Sequence, residues 1–295
     1  MGRLNEVRLF GYVTDQPIIQ KTINNEYVAG RMHLTVIRCS RSSGESGGEK
    51  DRILFDWPLI LTNDPDLIRQ MEKLTPYDLV ELKGMFLTRK VIKNTTCTVC
   101  GAKYRLEGNI CYVRPFFMIK RNLGNDHYTE KKAIIELRAN REISNNILIL
   151  GNLCNDVNYF KGTISGRKIE TSVYQIATDR KYYIVEDDPE SRTDFPIVRS
   201  YQKQAVKDRN FLHVGSCILI DGFLHTRQFE RTSICDACSN EFTWMDNTIE
   251  IIPYINEFIA NYNTEEEAEE VINRYELEKQ EEEKKILATY YNQFK

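Results

Sequence analysis

Two stretches carry paired thiols: "TCTVCGAKY" (96–104), with Cys97 and Cys100, and "ICDACSNEF" (234–242), with Cys235 and Cys238. Two thiolates on one tight turn are half a structural zinc site, which takes four ligands in a tetrahedron. No Cys or His follows Cys238 within the next 30 residues to complete a site locally. The simplest closure is that all four sulfurs share one Zn2+ per chain. Pairing of the turns between two chains, a disulfide, or no metal at all remain open. A redox reading of Cys-x-x-Cys needs a thioredoxin-like βαβ setting, which the pattern lacks. Cys111 is a rival ligand, but its counterpart 138 residues on is Ile249, the mark of an apolar strand position. Cys39, Cys154 and Cys217 lie in apolar strand segments and are expected in the core.

The offset of 138 that superposes the two thiol pairs also aligns much of the rest. "DLVELKGMFLTR" (78–89) falls on "SCILIDGFLHTR" (216–227), and "FDWPLILT" (55–62) falls on "TDFPIVRS" (193–200). Trp57 meets Phe195, Pro58 meets Pro196 and Pro115 meets Pro253. With a shift of 140, "NEVRLFGYVTD" (5–15) meets "NNILILGNLCN" (145–155). The chain is a tandem duplication.

Each copy must then build the element that holds its thiols. Strands are expected at 7–13 and 146–153, 31–38 and 168–178, and 53–61 and 194–199. Helical patterns follow at 64–74 and 201–212. Further strands are expected at 78–88 and 216–226 and near 110–120 and 248–259, with the Cys-x-x-Cys hairpin between them. Three strands, a helix and two more strands is the order of an OB barrel. The expected fold is mainly β: two tandem five-stranded Greek-key OB barrels and a C-terminal α-helix. The expected divisions are 1–122, a linker at 123–144 that could be helical, 145–262, and a charged helix at 263–295.

Charge is unevenly spread. The chain carries −3 overall, but residues 264–285 alone hold ten Glu against one Arg and three Lys, leaving the remainder at +3. That run reads as a long solvated helix with a thin apolar stripe, able to dock on the body or on a second copy. No run of some 18 apolar residues and no secretion-signal plan are present, so a cytoplasmic location is expected.

"NNILILGNLCNDV" followed by "TDFPIVRSYQKQAVKDRNFLHVGSCILIDGFLHTRQFE" (193–230) resembles the bacterial single-stranded DNA-binding protein family over about 110 residues. The resemblance implies a non-catalytic OB fold that wraps single-stranded DNA during replication, recombination or plasmid, phage or conjugative transfer. It also implies four OB units per assembly, hence a homodimer of this two-barrel chain, and a base-stacking aromatic on the third strand.

A binder without sequence preference needs rings that stack on bases and cations along the backbone. Trp57 and Phe195 are the stacking candidates. Tyr104, Phe242 and Trp244, beside the thiols, could either grip bases or cover the metal. Arg38, Arg89, Arg180 and Arg227, flanked by Lys90, Lys181 and Arg231, recur at matching strand ends and are the phosphate candidates. "EDDPE" in 180–192 reads as an exposed turn rather than a nuclease carboxylate cluster. With no phosphate-cradling glycine loop and no deaminase His-x-Glu, an enzyme is not expected. The rival reading from another class is an adaptor that uses its barrels to grip proteins of a replication or conjugation complex.

Overall fold

The structure, a computed structural model, describes residues 4–38, 53–122, 127–164, 167–180 and 192–260, together with Asn273, Leu277, Gln280, Glu281 and Lys284. Lys181, the loop 41–50, "EDDPE" and most of the acidic tail lie outside the described residues.

The first half runs β1 (Asn5–Val13), β2 (Ile18–Lys21), β3 (Tyr27–Ile37), β4 (Phe55–Asp56), β5 (Leu59–Thr62), α1 (Pro65–Glu72), β6 (Leu79–Thr96) and β7 (Lys103–Lys120). After α2 (Glu130–Ala139) and a short 3-10 turn the order repeats. It runs β8 (Asn145–Leu153), β9 (Asn158–Ile164), β10 (Arg167–Asp179), β11 (Thr193–Asp194), β12 (Ile197–Tyr201), α3 (Gln202–Phe211), β13 (Cys217–Ile234) and β14 (Glu241–Ala260).

Each half closes as a five-stranded barrel. β1 pairs with β3 and β6, β3 with β5, β5 with β7 in parallel, and β7 with β6. The second half repeats this circuit with β8, β10, β12, β14 and β13. Both are OB barrels. Expected strand three is broken in each copy at Pro58 or Pro196, because proline has no N–H to give a ladder. The expected second strands are the long arms of hairpins whose short arms, β2 and β9, carry too weak a pattern to be expected from sequence.

β6, β7, β13 and β14 run far past the expected ends, to 18, 18, 18 and 20 residues. They leave the barrels as two ribbons whose tips carry the thiols. α1 begins on Asp64, whose carboxylate accepts from the N–H of Asp66 and Leu67, with Pro65 in the first turn. Both are strong helix-start signals.

The barrels are not independent. β1 pairs antiparallel with β8 from Asn5↔Ile149 to Leu9↔Asn145, so β7-β6-β1-β8-β13-β14 is one continuous sheet. Asn5 bonds the backbone of Phe86 in both directions, and Asn145 does the same at Leu224, tying each first strand to its own barrel.

Candidate nucleic-acid interface and thiol cluster

The two ribbon tips fold alike. In the first, Cys97 N–H donates to Ala102 and Gly101 N–H donates back to Cys97; in the second, Cys235 and Asn240, then Ser239 and Cys235, repeat the pattern. Gly101 (φ +77) and Ser239 (φ +57), matched at the 138 offset, both take the left-handed conformation that such a turn needs.

The tips meet. Cys97 Sγ lies 3.9 Å from Cys238 Sγ, Cys100 Sγ 3.5 Å from Cys235 Sγ, and all four sulfurs fall within 4.8 Å of one another. Four bonds of about 2.3 Å to a tetrahedral zinc place sulfurs about 3.8 Å apart, so this donor set fits one ion. Among the described residues every cysteine is a free thiol.

Tyr104 OH sits 3.0 Å from Cys235 Sγ, and that hydrogen bond leads in drawing the Cys235 thiol down to about 6. At Cys100 a backbone bond to Ala102 lowers the thiol, but donation to Cys235, burial and the other sulfurs push it up to about 12. One anion forms more readily than two at such spacing.

Phe242, expected as a base-stacking candidate, is only 2% exposed. It lies 5.4 Å from Tyr104 and 5.6 Å from Trp244, ring to ring, packed with Cys97 and Cys235. A buried ring cannot stack on a base, so Phe242 is the floor of the thiol cluster, with Tyr104 and half-buried Trp244 as its walls. Cys154 corrects another expectation: it falls just beyond β8 and is exposed rather than core. Cys111 is half-buried in a β7 position facing Thr248, away from the cluster.

Below the tips the barrels hook each other reciprocally. Buried Asp56 accepts from Arg38 of its own barrel and from Thr226 N–H and His225 of the other. Buried Asp194 accepts from Arg180 of its own barrel and from Thr88 N–H of the other. The next residues complete the hooks: Trp57 N–H donates to Thr226 Oγ1 and Phe195 N–H to Thr88 Oγ1, both at 3.0 Å. Burial acts to raise the Asp56 carboxyl, but His225 and Arg38 hold it below the usual carboxylate range.

Arg38 and Arg180, expected on phosphates, therefore hold the barrel junction. The Arg180 side chain is 7% exposed, and its guanidinium is committed to a fully buried carboxylate. The sequence signal for this was present as the Asp before each aromatic in "FDWP" and "TDFP".

Because their backbones are hooked, the Trp57 and Phe195 rings are held out at the junction, each 46% exposed. They are not core. Phe195 lines a groove of about 1040 Å³ with Gln20, Asn63, Arg89, Lys90, Asn109 and Arg114 among its walls. A second hollow of about 600 Å³ shares Lys90, Asn109, Ile197 and Thr248 and runs up between the ribbons to Phe229 and Arg231.

Arg89 and Lys90 are exposed and have no ion pair among the described residues. Arg227 reaches Glu250, and Arg231 reaches Asp246 beneath Trp244. Sequence reasoning missed Arg114, Asn63, Phe229 and Glu250, none of which recurs in kind at its matching position.

Residues 144–238 match the family model described as Single-strand binding protein family. No curated protein matches the sequence. Two solved structures of the single-stranded DNA binding protein from Thermus aquaticus share the fold. The wild type has a TM-score of 0.55 at 16% identity, covering 90% of this chain and 97% of that one. A deletion variant of it has a TM-score of 0.54 at 16% identity, covering 89% and 98%. Proteins of this family are non-catalytic. The family match lies in the second half of the chain, and the fold shared with the Thermus aquaticus protein spans both halves.

Proposed function

We propose that this chain binds single-stranded DNA without catalysis and with little sequence preference. The observation that carries this reading is the groove at the barrel junction. It combines exposed cations without an ion pair among the described residues (Arg89, Lys90), a half-exposed ring (Phe195) and amide side chains. That mixture holds a backbone while stacking bases. Trp57 offers a second half-exposed ring. Coating of strands exposed in replication, recombination or DNA transfer follows from that chemistry, whereas association of two chains into a four-barrel unit rests on the resemblance of the sequence to the single-strand binding protein family.

Zn2+ held by Cys97, Cys100, Cys235 and Cys238 would act structurally, locking the ribbon tips so that the groove keeps its width. The reading predicts one zinc per chain by elemental analysis, with Cys235→Ser losing the whole ion rather than half of it.

The test of function is titration with oligo-dT at several salt concentrations. Quenching of tryptophan fluorescence with an affinity that falls steeply with salt supports the reading. Salt-independent or absent binding refutes it and favours the protein-gripping adaptor.

A further inference from the structure

The two barrels are related by the 138 offset, so every groove residue of the first has a counterpart in the second. The counterparts are not chemically equal. Arg89 corresponds to Arg227, Lys90 to Gln228, Arg114 to Ile252, Leu61 to Arg199 and Tyr112 to Glu250. These five positions carry a formal +3 in the first barrel and +1 in the second.

The placement of that charge differs further. Glu250 is buried, its side chain 3% exposed. It accepts two bonds from Arg199, at 2.6 and 3.0 Å, and one from Arg227 at 3.3 Å. Burial acts to raise its carboxyl, but the two guanidinium groups hold it below the usual range, so it stays an anion. In the first barrel its place is taken by Tyr112, which is neutral and buried, and nothing of opposite charge is bonded to Arg89 among the described residues.

A phosphate approaching Arg227 must compete with a carboxylate already in place; one approaching Arg89 meets no bonded carboxylate among the described residues. The ribbons repeat the imbalance. Lys93 and Arg231 are counterparts, yet both pair with the one carboxylate of Asp246, whose own counterpart is Gly108.

We propose that the strand is gripped on one of two related surfaces. Its phosphates lie along Arg89, Lys90 and Arg114 of the first barrel with a base on Phe195 of the second, while Glu250 holds Arg227 and Arg199 out of phosphate contact. The duplication has thus yielded one principal binding track rather than two equal ones. This rests on the single-strand binding reading above.

The test compares the full chain with Arg89→Ala/Lys90→Ala and with Arg227→Ala/Gln228→Ala in oligo-dT titrations against salt. Removing one phosphate-binding cation lowers the slope of log K against log salt by about 0.7 for a single strand. The first double variant should lower the slope by about 1.4 and affinity at least tenfold; the second should move both by less than half as much. Glu250→Gln, which frees Arg227, should raise affinity and steepen the slope. The side chains of both double variants lie at the surface, and circular dichroism shows whether each variant is folded. A slope loss of about 0.7 or more from the second double variant, which removes a single cation, or no gain from Glu250→Gln in a folded protein, overturns the one-track proposal while leaving strand binding intact. A native chain without salt-dependent binding removes both readings.

Discussion

The two barrels share a backbone and differ in what fills them. At Gly84 and Gly222 a Cβ would stand 2.3 Å from the carbonyl oxygen of Arg114 or Ile252, so both copies need glycine where the bulged ribbon strand crosses its partner. Under the helices the resemblance ends. α1 turns Leu67, Ile68 and Met71 into the first core, while α3 turns in Ala205 and Asp208.

Asp208 is fully buried and gathers hydrogen bonds from Ser172, Ser200, Gln204 and Asn256, the last also reaching Tyr174 OH. Burial dominates there and raises its carboxyl above the usual range. The comparison teaches that duplication preserved close backbone approaches and the reciprocal hooks, which geometry dictates. The core and the groove were free to diverge.

The largest effects should come from the two cores. Asp208→Ala strands several buried donors and should cost about 3–5 kcal/mol in urea unfolding. Met71→Ala opens a cavity under α1 and should cost about 2–5 kcal/mol. Acid separates buried network from barrel hook. A carboxyl raised by folding contributes stability below its unfolded value that is lost as pH rises through the folded one. Wild type should therefore gain on Asp208→Asn as pH falls through the carboxylate range. Asp56 is lowered instead, so its contribution is present above the unfolded value and lost as pH falls; Asp56→Asn should show the opposite slope. Matching slopes for the two would erase the distinction.

Next come the rings. Phe195→Ala and Trp57→Ala should each weaken oligo-dT binding by about 1–3 kcal/mol, Phe195 by more because it lies on the cationic side. A double variant that folds and binds unchanged would remove the junction from the interface. The smallest effects test the symmetry itself. Thr88→Val and Thr226→Val each remove one hydroxyl acceptor from the opposite barrel and should cost about 1 kcal/mol alike. A difference beyond about 0.5 kcal/mol would show that the hooks, too, have diverged.

Much of this was legible in sequence because a repeat doubles every signal. The barrel order, the helices at 64–74 and 201–212 and the meeting of four thiols all follow from one offset. What escaped was tertiary. β6 and β13 continue eight residues past their apolar runs, since ribbon pairing satisfies backbone groups whatever the side chains are. Phe242 could not be assigned to metal or base until its neighbours across the ribbons were known. Arg38 and Arg180 had the right type and spacing for phosphate; the Asp before each aromatic was in view, but its pairing with the arginine at the barrel junction is a tertiary contact that no single strand's pattern shows.

The most direct test of the account is where the strand lies. A single-stranded oligonucleotide carrying iododeoxyuridine, photocrosslinked to the native chain and mapped by mass spectrometry, should form adducts at Phe195, with Trp57 secondary. Adducts confined to the outer face of the continuous sheet, around Leu148 and Ile255, with none at either ring, would contradict it.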